Sequence, residues 1–176
     1  DCINACVDEG KKTGMESWSY DENGWPSGFG SGAVNGLGVK YQQKYLHMDI
    51  TENPVNDDFT VANVPADNGK NMHFYFSVNR FYVDTMDAEV TEAFIKSTHE
   101  KYKKALGSDF SKMAGFFTDE PQMSRKPKGI PWSLILPEEY KKAYGEELIP
   151  VLHHLFITSE AAYRTRYRYF KLVTRL

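Results

Sequence analysis

Apolar positions in this chain recur with spacings that change from segment to segment, and the spacings predict the elements. Residues 1–12 set Ile3, Cys6, Val7 and Gly10 on one side and Asp8, Glu9, Lys11 and Lys12 mostly on the other, the pattern of an amphipathic helix. Thr13-Gly14 closes it, and Met15 to Tyr20 is a short aromatic run ending in the acids and turn residues Asp21-Glu-Asn-Gly24. Val39, Tyr41 and Tyr45, then Phe59 and Val61, then Met72, Phe74, Phe76 and Val78 alternate as antiparallel strands do, between turn signals at Asn53-Pro54, Asn56-Asp57 and Asp67-Asn-Gly69. The apolar face shifts near Gln43 and Lys44 to Leu46, Met48 and Ile50, which predicts a bulge or a broken strand there.

The second half returns to helix and short strand. Arg80 to Asp84 predicts a strand that ends in an acid, and Asp87 caps a helix through about Ala105, with Val90, Phe94, Ile95, Thr98, Tyr102 and Leu106 inward and Gly107 as its stop. Met113 to Phe117 is too short for a helix, Gly115 would weaken one, and the residue before Pro121 is pushed out of the α region. The expectation is a buried strand that delivers Asp119 and Glu120 to an open edge. Beyond it lie a basic loop over Ser124 to Gly129, the aromatic element Pro131-Trp132 and a helix from Pro137 to Gly145. A short helix over Glu147 to Phe156 carries His153 and His154, and a last helix starts at Ser159 and runs to Leu176.

Strands that follow helices and end in acids at one end predict an α/β fold: a partial (β/α)8 TIM barrel with an antiparallel β excursion at about residues 37–80. Helical patterns at both ends of the 176 residues lead to the expectation that the chain, 1–176, is a single fragment of a longer polypeptide, truncated inside helices. With 41% hydrophobic and 26% charged residues the composition is that of a globular domain. The net charge of -3, with both signs interleaved, gives no basic face for nucleic acid, and no apolar run is long enough for a membrane span. Cys2 and Cys6 read as buried thiols with no zinc or redox spacing, so the compartment stays open.

Three strand ends offer carboxylates: Asp21 and Glu22, Asp84, and Asp119 and Glu120. Acetal hydrolysis needs one carboxylic acid to protonate the leaving oxygen and a second carboxylate as nucleophile or base. Trp18, Tyr20, Trp25 and Trp132 supply rings on which sugar faces pack. Competing structural roles stand beside these: Glu120 as an acceptor for loop N–H groups, Asp21 as an Asx-turn residue, His99 as a packed helix residue. His153 and His154 are adjacent and predicted to point apart, a poor metal pair, and Asp21-Glu-Asn-Gly24 lacks the spacing of a calcium loop. Gly28-Phe-Gly-Ser-Gly32 is glycine-rich but has no helix pattern behind it, so it is not read as a phosphate loop.

Three stretches, Gly14-Met-Glu-Ser-Trp-Ser-Tyr-Asp-Glu-Asn-Gly-Trp-Pro-Ser-Gly28, Val90-Thr-Glu-Ala-Phe-Ile-Lys-Ser-Thr-His-Glu100 and Gly115-Phe-Phe-Thr-Asp-Glu-Pro-Gln122, resemble bacterial (β/α)8 glycoside hydrolases of the α-L-rhamnosidase type. The resemblance implies a glycosidase acting on an oligosaccharide or glycoside, without cofactor or metal. It implies Glu120 as general acid/base, with Asp119 (where such enzymes usually have Asn) as the neighbour that tunes it; the candidate substrate-binding residues are Trp18, Tyr20, Asp21, Glu22, Trp25, Asp84 and Trp132, with Trp18, Asp21, Glu22, Trp25 and Asp119 shaping the glycone pocket. A second catalytic carboxylate is expected in the remainder of the same polypeptide. The alternatives are a non-catalytic carbohydrate-binding or scaffold domain and a metal-dependent hydrolase.

Overall fold

In the computed structural model, residues 2–22, 24–25, 27–67, 69–123, 126 and 129–176 are described. The predicted turn residues Asn23 and Asn68, Pro26 of the Trp-Pro step, and Ser124, Arg125, Pro127 and Lys128 of the basic loop lie outside the described residues, as does Asp1. The elements run α1 (Cys2–Thr13), β1 (Ser17–Tyr20), β2 (Gln42–Thr51), β3 (Thr60–Pro65), β4 (Asn71–Val83), α2 (Ala88–Ser97), α3 (His99–Leu106), β5 (Met113–Phe117), β6 (Ile130–Trp132), α4 (Leu136–Tyr144) and α5 (Glu160–Val173). Short 3-10 segments cover Gly30–Gly32, Asn35–Leu37, Val39–Tyr41, Gly107–Lys112 and Ile149–Leu155.

The partial barrel is not what forms. A barrel repeats parallel strands around one closed sheet. Here β1 and β5 make a two-stranded parallel sheet, and the other four strands make a separate antiparallel sheet in the order β3-β4-β2-β6. The run Arg80 to Val83 is the end of the 13-residue β4, with Asp84 just past it, and not a barrel strand of its own. The physical reason is range: a short apolar run ending in an acid is a local signal, and it carries no information about which strand lies beside it.

The chain divides into two compact units, Asp1–Gln42 with Arg80–Val83 and Ala88–Gln122, and Gln43–Asn79 with Asp84–Asp87 and Met123–Leu176. In the first, β1 and β5 are joined with Trp18 beside Gly115 and Tyr20 beside Phe117. Phe116 packs on the rings of His99, Tyr102 and Phe110, with centroids 4.5, 5.5 and 6.2 Å away. The predicted single helix over 87–105 is broken: Thr98 leaves helical geometry (φ -118°, ψ -81°), and its hydroxyl bonds the Phe94 carbonyl at 2.7 Å, the local competition that a Thr offers the helix ladder. Cys2 and Cys6 are exposed rather than buried, because Val7 and Gly10 take the inward positions of α1. Strand β5 is only partly covered, with Phe117 55% exposed.

In the second unit the antiparallel sheet packs its Leu46, Met72, Phe74 and Phe76 face against Leu136 and Tyr140 of α4, Leu148, Leu152 and Leu155, and Tyr169 and Leu172 of α5. Gly145 ends α4 at φ 69°, the left-handed stop its sequence predicts. Ser159 caps α5 by accepting the Ala162 N–H at 3.2 Å. The His153 and His154 rings do not point apart, since their centroids are 4.2 Å from each other.

Candidate functional site

The acids of the first unit come together because the parallel register of β1 and β5 ends both strands at one level, Tyr20 against Phe117. Asp21 and Glu22 follow one strand, Thr118, Asp119 and Glu120 the other, and the Asp21 N–H still reaches the Phe117 carbonyl at 3.3 Å. Asp21 is buried at 6% exposure and is held from two sides, by the Ser27 hydroxyl on Oδ1 at 2.6 Å and the Thr118 hydroxyl on Oδ2 at 2.9 Å. Ser27 in turn accepts the Asp119 N–H at 2.8 Å and gives its own N–H to the Asp119 carbonyl at 3.1 Å. One small serine therefore ties the two acid-bearing loops together.

Glu22 has a different anchor. Its carboxylate takes the N–H of Gly28 at 2.6 Å and of Gly30 at 2.8 Å. Those N–H groups converge because Gly28 and Gly30 sit at φ 109° and 52°, where a side chain is strained, and Ser31 follows at φ 59°. A Cβ on Gly28 would also meet the Tyr82 ring at 2.7 Å. The glycine-rich loop is thus an anion nest, and the anion is the protein's own carboxylate. Burial holds the Glu22 carboxyl above its ordinary value, opposed by the N–H groups of Gly30, Gly28 and Phe29.

Tyr20 lies among these charges. Its phenol is held above the usual value first by burial and then by Asp119, Asp21 and Glu22. Its ring lies 5.6 Å from that of Phe117, and Trp18 covers Gly115, where a Cβ would come within 2.7 Å of the indole. Trp18 is 60% and Trp25 62% exposed. Glu120 is exposed and takes φ 45°, a conformation rare for a side-chain-bearing residue and rarer before a proline. A cavity of about 390 Å³ opens beside Tyr20, Asp21 and Glu22 and reaches Ser31, Thr98 and Lys101, a size suited to a small ligand.

The structure thus brings together Trp18, Tyr20, Asp21, Glu22, Trp25, Asp119 and Glu120 in one unit. Asp84 and Trp132 belong to the other unit and to its interior. Asp84 is buried with Lys44, whose Nζ is 3.1 Å away, at side-chain exposures of 1% and 0%. Burial raises the Asp84 carboxyl and lowers the Lys44 ammonium, each opposed by the other's charge. Trp132 is 2% exposed and lies in the β2–β6 register opposite Lys44, a core residue and not a sugar platform. His99 is packed against Phe116, as a helix histidine can be. Among the described residues no three His, Cys, Asp or Glu side chains gather as a metal site would require.

The sequence alone gave no site role to Ser27, Thr118 or Lys44, and it set aside the Gly28 and Gly30 loop as an anion site. The stretch from Trp25 to Gly32 carried a signal for Ser27, Gly28 and Gly30, but their role depends on an acid six to eight residues upstream that only the folded loop identifies. Comparison of the chain with protein-family models, with curated proteins and with solved structures finds no match.

Proposed function

We propose that the first unit carries the carboxylate end of a glycoside hydrolase, with Glu120 as general acid/base and Asp119 as the carboxylate beside it. The observation that supports the reading is the parallel pairing of β1 and β5, which ends both strands at one level and so sets two acid pairs and the rings of Tyr20 and Phe117 at one end of one small sheet. In this reading Asp21 and Glu22 position and do not react: both are already committed to hydroxyl or N–H donors that hold the loops. The exposed indoles of Trp18 and Trp25 receive the apolar faces of pyranose rings while Asp119 and Glu120 meet the glycosidic oxygen.

The test is release of reducing ends from a panel of plant and bacterial oligosaccharides by the wild-type protein and by Glu120→Gln. The expected outcome is a loss of turnover of about 10²-fold or more with unchanged circular dichroism. Equal rates in the two proteins overturn the assignment. The commitment of Asp21 and Glu22 to structural bonds also favours a second reading, a carbohydrate-binding surface without catalysis. It predicts oligosaccharide binding by calorimetry, weakened by Trp18→Ala, with no reducing ends released.

A further inference from the structure

Helix α5 has two organised faces. Ala162, Thr165, Tyr169, Leu172 and Val173 are buried in the second unit. On the opposite side Glu160, Tyr163, Tyr167, Phe170 and Thr174 follow one another at spacings of three and four, the a/d rhythm of a helix–helix seam. All five are exposed, Tyr163 and Tyr167 at 66% and Phe170 at 45%. A single exposed ring needs no explanation, whereas three aligned rings mark a contact surface.

The stripe contains both a hole and a knob. Tyr167, Phe170, Lys171 and Thr174, at i, i+3, i+4 and i+7, line a shallow depression with Arg166 beside it. Four residues so spaced form the hole that receives one side chain from a facing helix. Tyr163 projects one turn earlier. The charges are arranged to match: Glu160 is the lone acid of α5 and stands at its start, while Lys171 and Arg175 stand at or just past its end. The ion pairs of Arg164 and Arg168 are made with Glu146 and do not include these three groups.

We propose that this face binds the same face of a second copy of the chain, the two α5 helices running antiparallel about a two-fold axis near Tyr167. In that arrangement each Tyr163 enters the hole of the other copy, and each Glu160 lies opposite the Lys171 to Arg175 turn of the other. A parallel arrangement would set Lys171 and Arg175 against their own copies. The antiparallel contact is isologous and closes as a dimer. A 14-residue helix is about 21 Å long, so the contact is smaller than a standard interface and the dimer is weak and reversible.

Sedimentation equilibrium over a range of concentrations tests this. The wild-type protein is expected to show a monomer–dimer equilibrium, weakened about tenfold or more by Tyr163→Ala or Phe170→Ala, with the monomer's thermal melt unchanged in Tyr163→Ala, whose side chain is the more exposed. Charge reversal gives a sharper readout. Glu160→Lys alone and Lys171→Glu with Arg175→Glu alone should each be monomeric, because like charges then meet at both ends. An equimolar mixture of the two variants should dimerise, because both ends are matched again. A wild-type protein that stays monomeric at every concentration overturns the proposal, and so does a dimer unaffected by these substitutions or a mixture that fails to recover it.

Discussion

Replacing Lys44 by Met is the most demanding test of the second unit. Lys44 Nζ and Asp84 Oδ2 are 3.1 Å apart with both side chains out of solvent, and Asp84 Oδ1 also accepts the Met86 N–H at 3.2 Å. At an effective dielectric constant of about 20 the pair attraction is about 5 kcal/mol, against a desolvation cost of similar size. Removing one partner leaves that cost uncompensated, so Lys44→Met should lose about 3–5 kcal/mol of unfolding free energy. The double variant Lys44→Met with Asp84→Leu should lie near wild type or above it.

The pH dependence separates this account from simple loss of packing. Without Lys44 the Asp84 carboxyl is raised further by burial. Its stabilising, protonated form is then complete below about pH 4 and lost as pH rises through the folded pKa, so Lys44→Met is weakest at neutral pH and recovers in acid. Asp84→Asn reverses the sign. The buried ammonium is depressed, so stability is present above about pH 10.4 and lost as pH falls through the folded pKa. Urea unfolding followed by the emission of Trp132, buried while Trp18 and Trp25 are exposed, reports on this core. A Lys44→Met loss below about 1 kcal/mol, equal in acid and at neutral pH, would refute the buried ion pair.

Three further outcomes follow from the same reasoning. Because burial holds the Glu22 carboxyl above its ordinary range, its contribution to stability is complete below about pH 4.3 and declines as pH rises through the folded pKa, and Glu22→Gln should flatten that slope in urea titrations. Asp109, bonded by Lys11 at 2.6 Å and Lys112 at 2.6 Å, has its pKa lowered to about 2. Its contribution is present above about pH 3.9 and lost as pH falls toward 2, so Asp109→Asn should remove an acid-limb loss that added salt also weakens. Ser159→Ala removes the α5 cap and should cost about 1 kcal/mol in thermal unfolding, while Ser159→Asp should keep most of it.

Local chemistry carried a good part of the fold. The starts and stops of the helices at Thr13, Gly107, Gly145 and Ser159, the alternation of β3 and β4, and the delivery of Asp21, Glu22, Asp119 and Glu120 from short apolar runs all rest on interactions within a few residues, and such interactions are written directly in sequence. Which strands pair is not local. The same strand-end pattern at Tyr20, Asp84 and Phe117 belongs to a parallel pair in two cases and to the end of a long antiparallel strand in the third, which is why a barrel was expected and two separate sheets were found. Burial is not local either. Asp84 and Trp132 read as site residues by type, and tertiary packing made one the partner of Lys44 and the other a core ring. The glycine loop shows the division most directly. The sequence by itself determined only that residues 28–32 are glycine-rich, and the tertiary structure decided that the N–H groups of Gly28 and Gly30 converge on Glu22, because a nest attracts whichever anion the folded chain brings within reach.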